Sequence, residues 1–248
     1  MPHRARLAHA FTLSFPILLL LGLAVLAPRP AVADPWQPLE FGRSWEYRGV
    51  GGAHQIETIA GMRVLRGRTV TAKHYSEGAD AGLENYWQLG LDGTVLLCGF
   101  DNPTLALALA YEPPIAYLPG PPALGASRTT NVTAYNVADG SVFATFTLTF
   151  TVLEEVDLIL PAGRFHALGT GQVQIAFRPF QSGGRTFALD GCARASTPPA
   201  VSSTPSDWYA DGVGVVQYQT NDLYQLVSIA QPTPATHSSW SAIKRLYQ

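Results

Sequence analysis

Residues Val142 to Val152 read VFATFTLTFTV, and the fold turns on how that stretch is placed. On an extended chain Val142, Ala144, Phe146, Leu148, Phe150 and Val152 share one face, and Thr145, Thr147, Thr149 and Thr151 share the other. Alternation with a period of two, carried by strand-favouring side chains, specifies a β-strand with one dry and one wet face. A helix would scatter the same apolar positions around its circumference.

The pattern repeats outward from this strand. Further strands are expected at Ser44–Gly51, His54–Ala60, Arg68–Ser76, Tyr86–Leu91, Thr94–Gly99, Thr130–Ala138, Phe165–Phe177, Arg185–Leu189, Val213–Gln219 and Tyr224–Ala230. Asp92-Gly93, Asp139-Gly140, Asp190-Gly191 and Asp211-Gly212 punctuate them, and the first two read as two-residue hairpin turns of the primed type. Pro161-Ala162-Gly163 marks another hairpin. Pro103–Ala110 reads either as a strand, by the alternation of Leu105, Leu107 and Leu109, or as a helix capped by Asn102. The next stretch, residues 111–125, carries five prolines and is expected to be an irregular crossing loop packed on the sheet. Strands joined by short links, without amphipathic helices between them, predict antiparallel pairing. The fold class is therefore mainly β: a single domain over 34–230 built on a large curved antiparallel sheet, a half-barrel or open barrel, with few or no helices. Residues 231–248 read as a linker and short tail, where Trp240, Ile243 and Leu246 keep helical spacing.

Residues 1–33 have the organisation of a cleaved signal peptide. His3, Arg4 and Arg6 precede an apolar core from Phe15 to Leu26, and Ala31-Val32-Ala33 offers small residues for a cut before Asp34. The core is shorter than the ~20 apolar residues that span a bilayer. Export to the periplasm or the medium follows, and after cleavage the chain is not expected to be an integral membrane protein. Cleavage removes Arg4, Arg6 and Arg29 from a chain of 16 basic and 18 acidic residues and removes no acid, which leaves the mature protein more acidic. That balance excludes a nucleic-acid binder driven by a basic field. In an oxidising compartment the two cysteines, Cys98 and Cys192, are expected to form a disulfide.

Catalytic signatures are absent from the sequence. It holds no Gly-x-Ser-x-Gly elbow, no His-Glu-x-x-His, no phosphate loop and no dinucleotide fingerprint. No catalytic residue, cofactor or metal ligand is assigned. Aromatic residues are the remaining signal: Trp36, Trp45, Tyr47, Tyr86, Trp87, Trp208 and Tyr209 gather at strand starts and ends. Concave sheets offer apolar pockets, so Trp45, Tyr47, Trp87, Phe146, Phe150 and Trp208 are the expected ligand-lining set.

Four motifs occur in a fixed order: Phe41-Gly-Arg-Ser-Trp45-Glu-Tyr47, the Pro113-Pro114 segment ending in Leu118-Pro119, Leu160-Pro-Ala-Gly-Arg-Phe165, and Trp208-Tyr-Ala-Asp-Gly-Val-Gly-Val-Val216. Together they resemble exported bacterial β proteins of poorly assigned function, whose fold is similar to the curved half-barrel of Lol-type lipoprotein carriers and related periplasmic lipid binders. The resemblance bears on fold and compartment. The concave face of a half-barrel, with the alternating strand 142–152 and the apolar Pro-rich loop, motivates the expectation of a non-enzymatic exported protein that binds or carries an apolar, lipid-like ligand there. The alternatives are an interaction module that docks an envelope or extracellular protein partner and, third, a hydrolase without a recognisable motif. Amino-terminal sequencing of the exported protein should read Asp34-Pro35-Trp36; an exported form that starts at Met1 would overturn the signal-peptide reading.

Overall fold

The structure, a computed structural model, describes residues 35–179 and 204–231. Residues 1–34, where the signal peptide is expected, together with Arg185–Leu189, Asp190-Gly191, Cys192 and residues 232–248, lie outside the described residues. Twelve strands follow one another in the chain: β1 Ser44–Gly49, β2 His54–Leu65, β3 Arg68–Tyr75, β4 Glu84–Leu89, β5 Val95–Asn102, β6 Leu107–Leu118, β7 Ser127–Asn136, β8 Val142–Leu160, β9 Gly163–Pro179, β10 Asp207–Ala210, β11 Gly214–Gln219 and β12 Leu223–Ala230. No helix occurs among the described residues. The class is mainly β and antiparallel, and the curved sheet closes fully instead of staying open. Each strand pairs with its chain neighbours, and β1 pairs with both β2 and β12, so the barrel leaves no unpaired edge.

The hairpin β7–β8 shows why this sequence makes a wall. Val132 faces Phe146 and Thr130 faces Leu148 on the inner side, all of them buried. On the outer side Thr129 and Thr149 hydroxyls lie 2.8 Å apart, Ser127 and Thr151 lie 2.9 Å apart, and Thr147 donates to Asn131 at 2.8 Å. This wall turns apolar residues in and hydroxyls out, the reverse of a membrane barrel. The β8–β9 hairpin runs past the end of β7, and at its tip the Ala162 N–H donates to the Leu226 carbonyl of β12.

Turns formed where expected, by a different chemistry. Gly93, Gly140 and Gly212 have positive φ, whereas Asp92 and Asp139 do not. These two aspartates instead accept bonds from the backbone N–H and the hydroxyl two residues on, at Thr94 and Ser141. The turn with positive φ at both central positions is Arg66-Gly67, between β2 and β3. Its Arg66 guanidinium pairs with Glu112 at 3.0 Å and lies 4.1 Å from the Tyr135 ring centre.

Residues 111–125 depart from the expected crossing loop. Residues 103–106 form the turn, and β6 then runs through Pro113 and Pro114 to Leu118. The β5 register jumps from Leu97↔Ile115 to Gly99↔Ala110, and the β7 pairing ends at Glu112↔Thr133. Both prolines thus sit in a gap of the ladder where no backbone donor is required. A short strand, β10, also forms where only the Trp208-Tyr209 motif stood out.

Most of the buried apolar residues form one cluster inside the barrel. A second, smaller cluster of Leu65, Val70, Ala72, Tyr86, Cys98 and Ala110 lies on the other face of the wall, beneath the β2–β3 hairpin. A bulge between Leu97 and Gly99 turns Cys98 into that cluster. Cys98 is buried there as a free thiol, pushed up to about 11 by burial; Cys192, its expected partner, lies outside the described residues. The inner wall predicts a contrast between adjacent residues. Phe150→Ala should lower the unfolding free energy by about 3–5 kcal/mol and Thr149→Ala by about 1 kcal/mol or less, measured by urea denaturation. Equal losses would contradict the assigned faces.

Candidate functional site

The wall opposite β8 is built differently. Tyr47 pairs with Gln55, Trp45 with Glu57, Glu57 with Tyr75, Ile59 with Lys73, Lys73 with Asn85 and Thr71 with Trp87. Since directly paired residues share a face, this register carries Glu57 and Lys73 into the barrel alongside Trp45, Tyr47 and Trp87. The Lys73 ammonium donates to Glu57 Oε2 at 2.5 Å, and each side chain is only 5% exposed. Gln55 Nε2 donates to the other Glu57 oxygen at 3.0 Å. The ammonium also lies 5.4 Å from the ring centres of Tyr75 and of Trp87, within range of the negative faces of aromatic rings. Such a pair persists in a dry interior only because every charge has partners, and removing one partner would strand the other.

Asp207, at the start of β10, is the third charged group inside. Ser206 Oγ donates to its Oδ2 at 2.7 Å, and the Tyr117 hydroxyl donates to the same oxygen at 3.3 Å. Burial pushes its carboxyl up to about 6, against the pull of those bonds and of Lys73. Tyr117 packs against Phe150, with ring centres 4.5 Å apart, and edge-on against Trp87 at 5.5 Å. Tyr47 donates to the Val215 carbonyl at 2.8 Å and meets Tyr218 edge-on at 5.1 Å, and Tyr218 stacks on Tyr224 at 4.8 Å. Asn85 donates to the Tyr75 hydroxyl at 2.9 Å. Asp80, on the loop between β3 and β4, stands near this group at the rim. Its carboxyl is raised by burial and by repulsion from Glu57. Trp87 Nε1 and the Tyr209 and Tyr218 hydroxyls are buried without a hydrogen-bond partner.

Of the six residues expected to line a ligand, five come together inside. Trp45, Tyr47 and Phe150 retain only 1% exposure, so the space at their level is filled by protein, and Trp45 Nε1 is engaged by the Val213 carbonyl at 2.7 Å. Trp87 is buried beside Lys73 and edge-on to Tyr117, and Phe146 is buried edge-on to Tyr111. Trp208 does not join them: on β10 its neighbours Asp207 and Tyr209 are inside, and its indole donates to Glu154 at 2.6 Å on the outer face. Asn85, Tyr117 and Asp207, by contrast, keep part of their surface accessible. The groups the sequence did not single out are Gln55, Glu57, Lys73, Tyr75, Asn85, Tyr117, Asp207 and Tyr218. The one available signal was Lys73, one of two lysines in the chain, set within a strand.

Two surface histidines are each held between two carboxylates. His54 bonds Glu46 at 3.0 Å and Glu77 at 2.8 Å, and His166 bonds Glu155 at 2.8 Å and Asp157 at 2.9 Å. No grouping able to hold a metal ion occurs among the described residues.

The fold and its interior define a twelve-stranded closed antiparallel barrel with a polar, aromatic-walled centre. No protein-family model matches the chain, and no curated protein matches it. Among solved structures, a candidate lipoprotein from Parabacteroides distasonis shares 14% identity at a TM-score of 0.39, covering 80% of this chain and 99% of its own. A candidate exported protein with a YmcC-like fold from Bacteroides fragilis shares 12% identity at a TM-score of 0.41, covering 81% of this chain and 100% of its own.

Asp207 gives the barrel a pH signature. Its folded value of about 6 stands above the ordinary 3.8, so the folded state holds a proton that the unfolded state releases. Stability from this group is present below pH ~4 and is lost as pH rises toward ~6. Asp207→Asn should remove that decline, so denaturation midpoints between pH 4 and 6.5 should fall less in the variant than in the native chain. Parallel curves would contradict the burial of this carboxylate.

Proposed function

We propose that this chain is an exported, non-enzymatic barrel protein that binds a small, partly apolar ligand inside the barrel beside the Glu57–Lys73–Asp207 cluster. One observation carries the reading: buried polar groups without partners face an aromatic interior, and proteins leave such groups unpaired at a cost of ~1–3 kcal/mol each. A ligand that meets Trp87 Nε1 and the Tyr209 and Tyr218 hydroxyls would recover that cost. The purely greasy hollow expected from the strand pattern is replaced by a mixed surface: apolar along β8 and polar along β2 to β4. An acyl chain alone would cover the apolar wall and leave the polar groups unsatisfied. A ligand with a compact polar group and an apolar body fits both walls.

A second reading, a docking module for an envelope protein, is favoured by the filled level at Trp45, Tyr47 and Phe150. Its surface would be the β8–β9 tip, where Ile159 is 75% exposed beside a shallow cleft lined by Asp157, Arg164, Phe165 and His166. Residues 111–118 are no longer available for that role, because they are wall.

Titrating the purified full chain with an uncharged naphthyl probe tests the first reading. Tryptophan emission should change saturably at micromolar probe; the change should be lost in Trp87→Phe and kept in Trp208→Phe. No saturable change, or one that survives in Trp87→Phe, would remove the interior site.

A further inference from the structure

We infer that the ligand taken by the barrel interior carries an ammonium group, a protonated organic amine with an apolar body; this rests on the interior-site reading above. The charges facing one another inside and at the rim are Glu57, Lys73, Asp80 and Asp207. Glu57 is matched by Lys73 and by Gln55. Asp207 has Lys73 as its only attractive charge and Glu57 as a repulsive one, and Asp80 has only the repulsion of Glu57. Asp207 therefore shares a cation already spent on Glu57, and Asp80 has no attractive charge among these groups.

The interior already holds one ammonium in the manner proposed. Lys73 sits on a carboxylate between the rings of Tyr75 and Trp87, which combines charge pairing with two aromatic faces. The tyrosines provide the same surroundings for a second one. Tyr218 stacks on Tyr224, and its buried hydroxyl has no partner, so it is free to accept an N–H. Tyr209 presents a fully buried hydroxyl, also without a partner, within electrostatic reach of Asp207. Tyr218 pairs directly with Asp207 across β10–β11, and Tyr209 lies two residues along β10 from it, so both unpartnered hydroxyls belong to the inner face that carries this carboxyl. An ammonium between Asp207, Tyr209 and Tyr218 would donate to them and neutralise a half-buried carboxylate whose cation is already paired with Glu57. A carboxylate ligand would add a negative charge beside Asp207 and Glu57, where close like charges repel. An uncharged alcohol would satisfy one hydroxyl and leave the charge unmatched.

Three probes with the same six-carbon body separate these cases: hexylamine, hexanol and hexanoate, each titrated into the purified full chain at pH 7.5 by calorimetry and thermal shift. Hexylammonium should bind at least about tenfold more tightly than hexanol, and hexanoate more weakly than either. Asp207→Asn should weaken hexylammonium about tenfold and leave hexanol unchanged. Tyr218→Phe, which keeps the ring stack, should weaken hexylammonium severalfold and serves where the Asp207 variant does not fold. If hexanol or hexanoate binds as tightly as hexylammonium, the ammonium assignment is overturned while the interior site stands. The same holds if both variants keep native amine affinity. If the naphthyl probe and all three six-carbon probes fail to bind, the interior-site reading falls with it.

Discussion

Closure of the sheet by β1 is the constraint on which everything else rests. β1 is six residues long, yet it pairs with β2 along one side and β12 along the other, and those two ladders join the ends of the described chain. Backbone donors and acceptors at an open edge would demand water or another strand. With the edge gone, a wall of hydrogen bonds encloses the interior, and the inward side chains line it. Trp45 and Tyr47, inward residues of β1, pack there and also bond the Val213 and Val215 carbonyls of the β10–β11 region, past β12 along the inner face. The closing strand is therefore also an internal cross-brace.

A closed interior makes polar groups consequential. Along β7 and β8 the inner face is hydrocarbon apart from Thr130, and the energetics are those of packing. Along β2 to β4 the inner face holds an ion pair, an amide and hydroxyls, and the energetics are those of mutual satisfaction. Glu57, Lys73 and Gln55 satisfy one another; Asp207 relies on Ser206, Tyr117 and distant Lys73, and remains poised near neutrality. The two walls divide the interior into a part that only stabilises and a part suited to recognition.

The local turns show how one sequence signal can be correct in place and different in mechanism. Each described Asp-Gly pair ends a strand. At Asp92 and Asp139 the aspartate folds its side chain onto the next strand instead of adopting positive φ, because Thr94 and Ser141 supply both a backbone and a hydroxyl donor. Arg66-Gly67 takes the primed geometry, with the Arg66 side chain held by Glu112 and Tyr135. The tertiary contact stabilises a backbone conformation that a long β-carbon-bearing residue ordinarily avoids.

Alternating hydropathy by itself determined that this chain is antiparallel β, which face of Val142–Val152 is dry, and where most strands begin, because those facts depend on residues two apart. Tertiary structure decided the rest. Pro113 and Pro114 stand in a strand only because the ladders of β5 and β7 part around them, and no local rule contains that gap. Parity on β3 would turn Val70 and Ala72 inward and Lys73 outward. The β2–β3 hairpin buries Val70 and Ala72 on the opposite face, under Leu65, and this leaves Thr71, Lys73 and Tyr75 facing the centre. A strand with two covered faces has no hydropathic inside, so the charged heart of the barrel was settled by what folds over the wall.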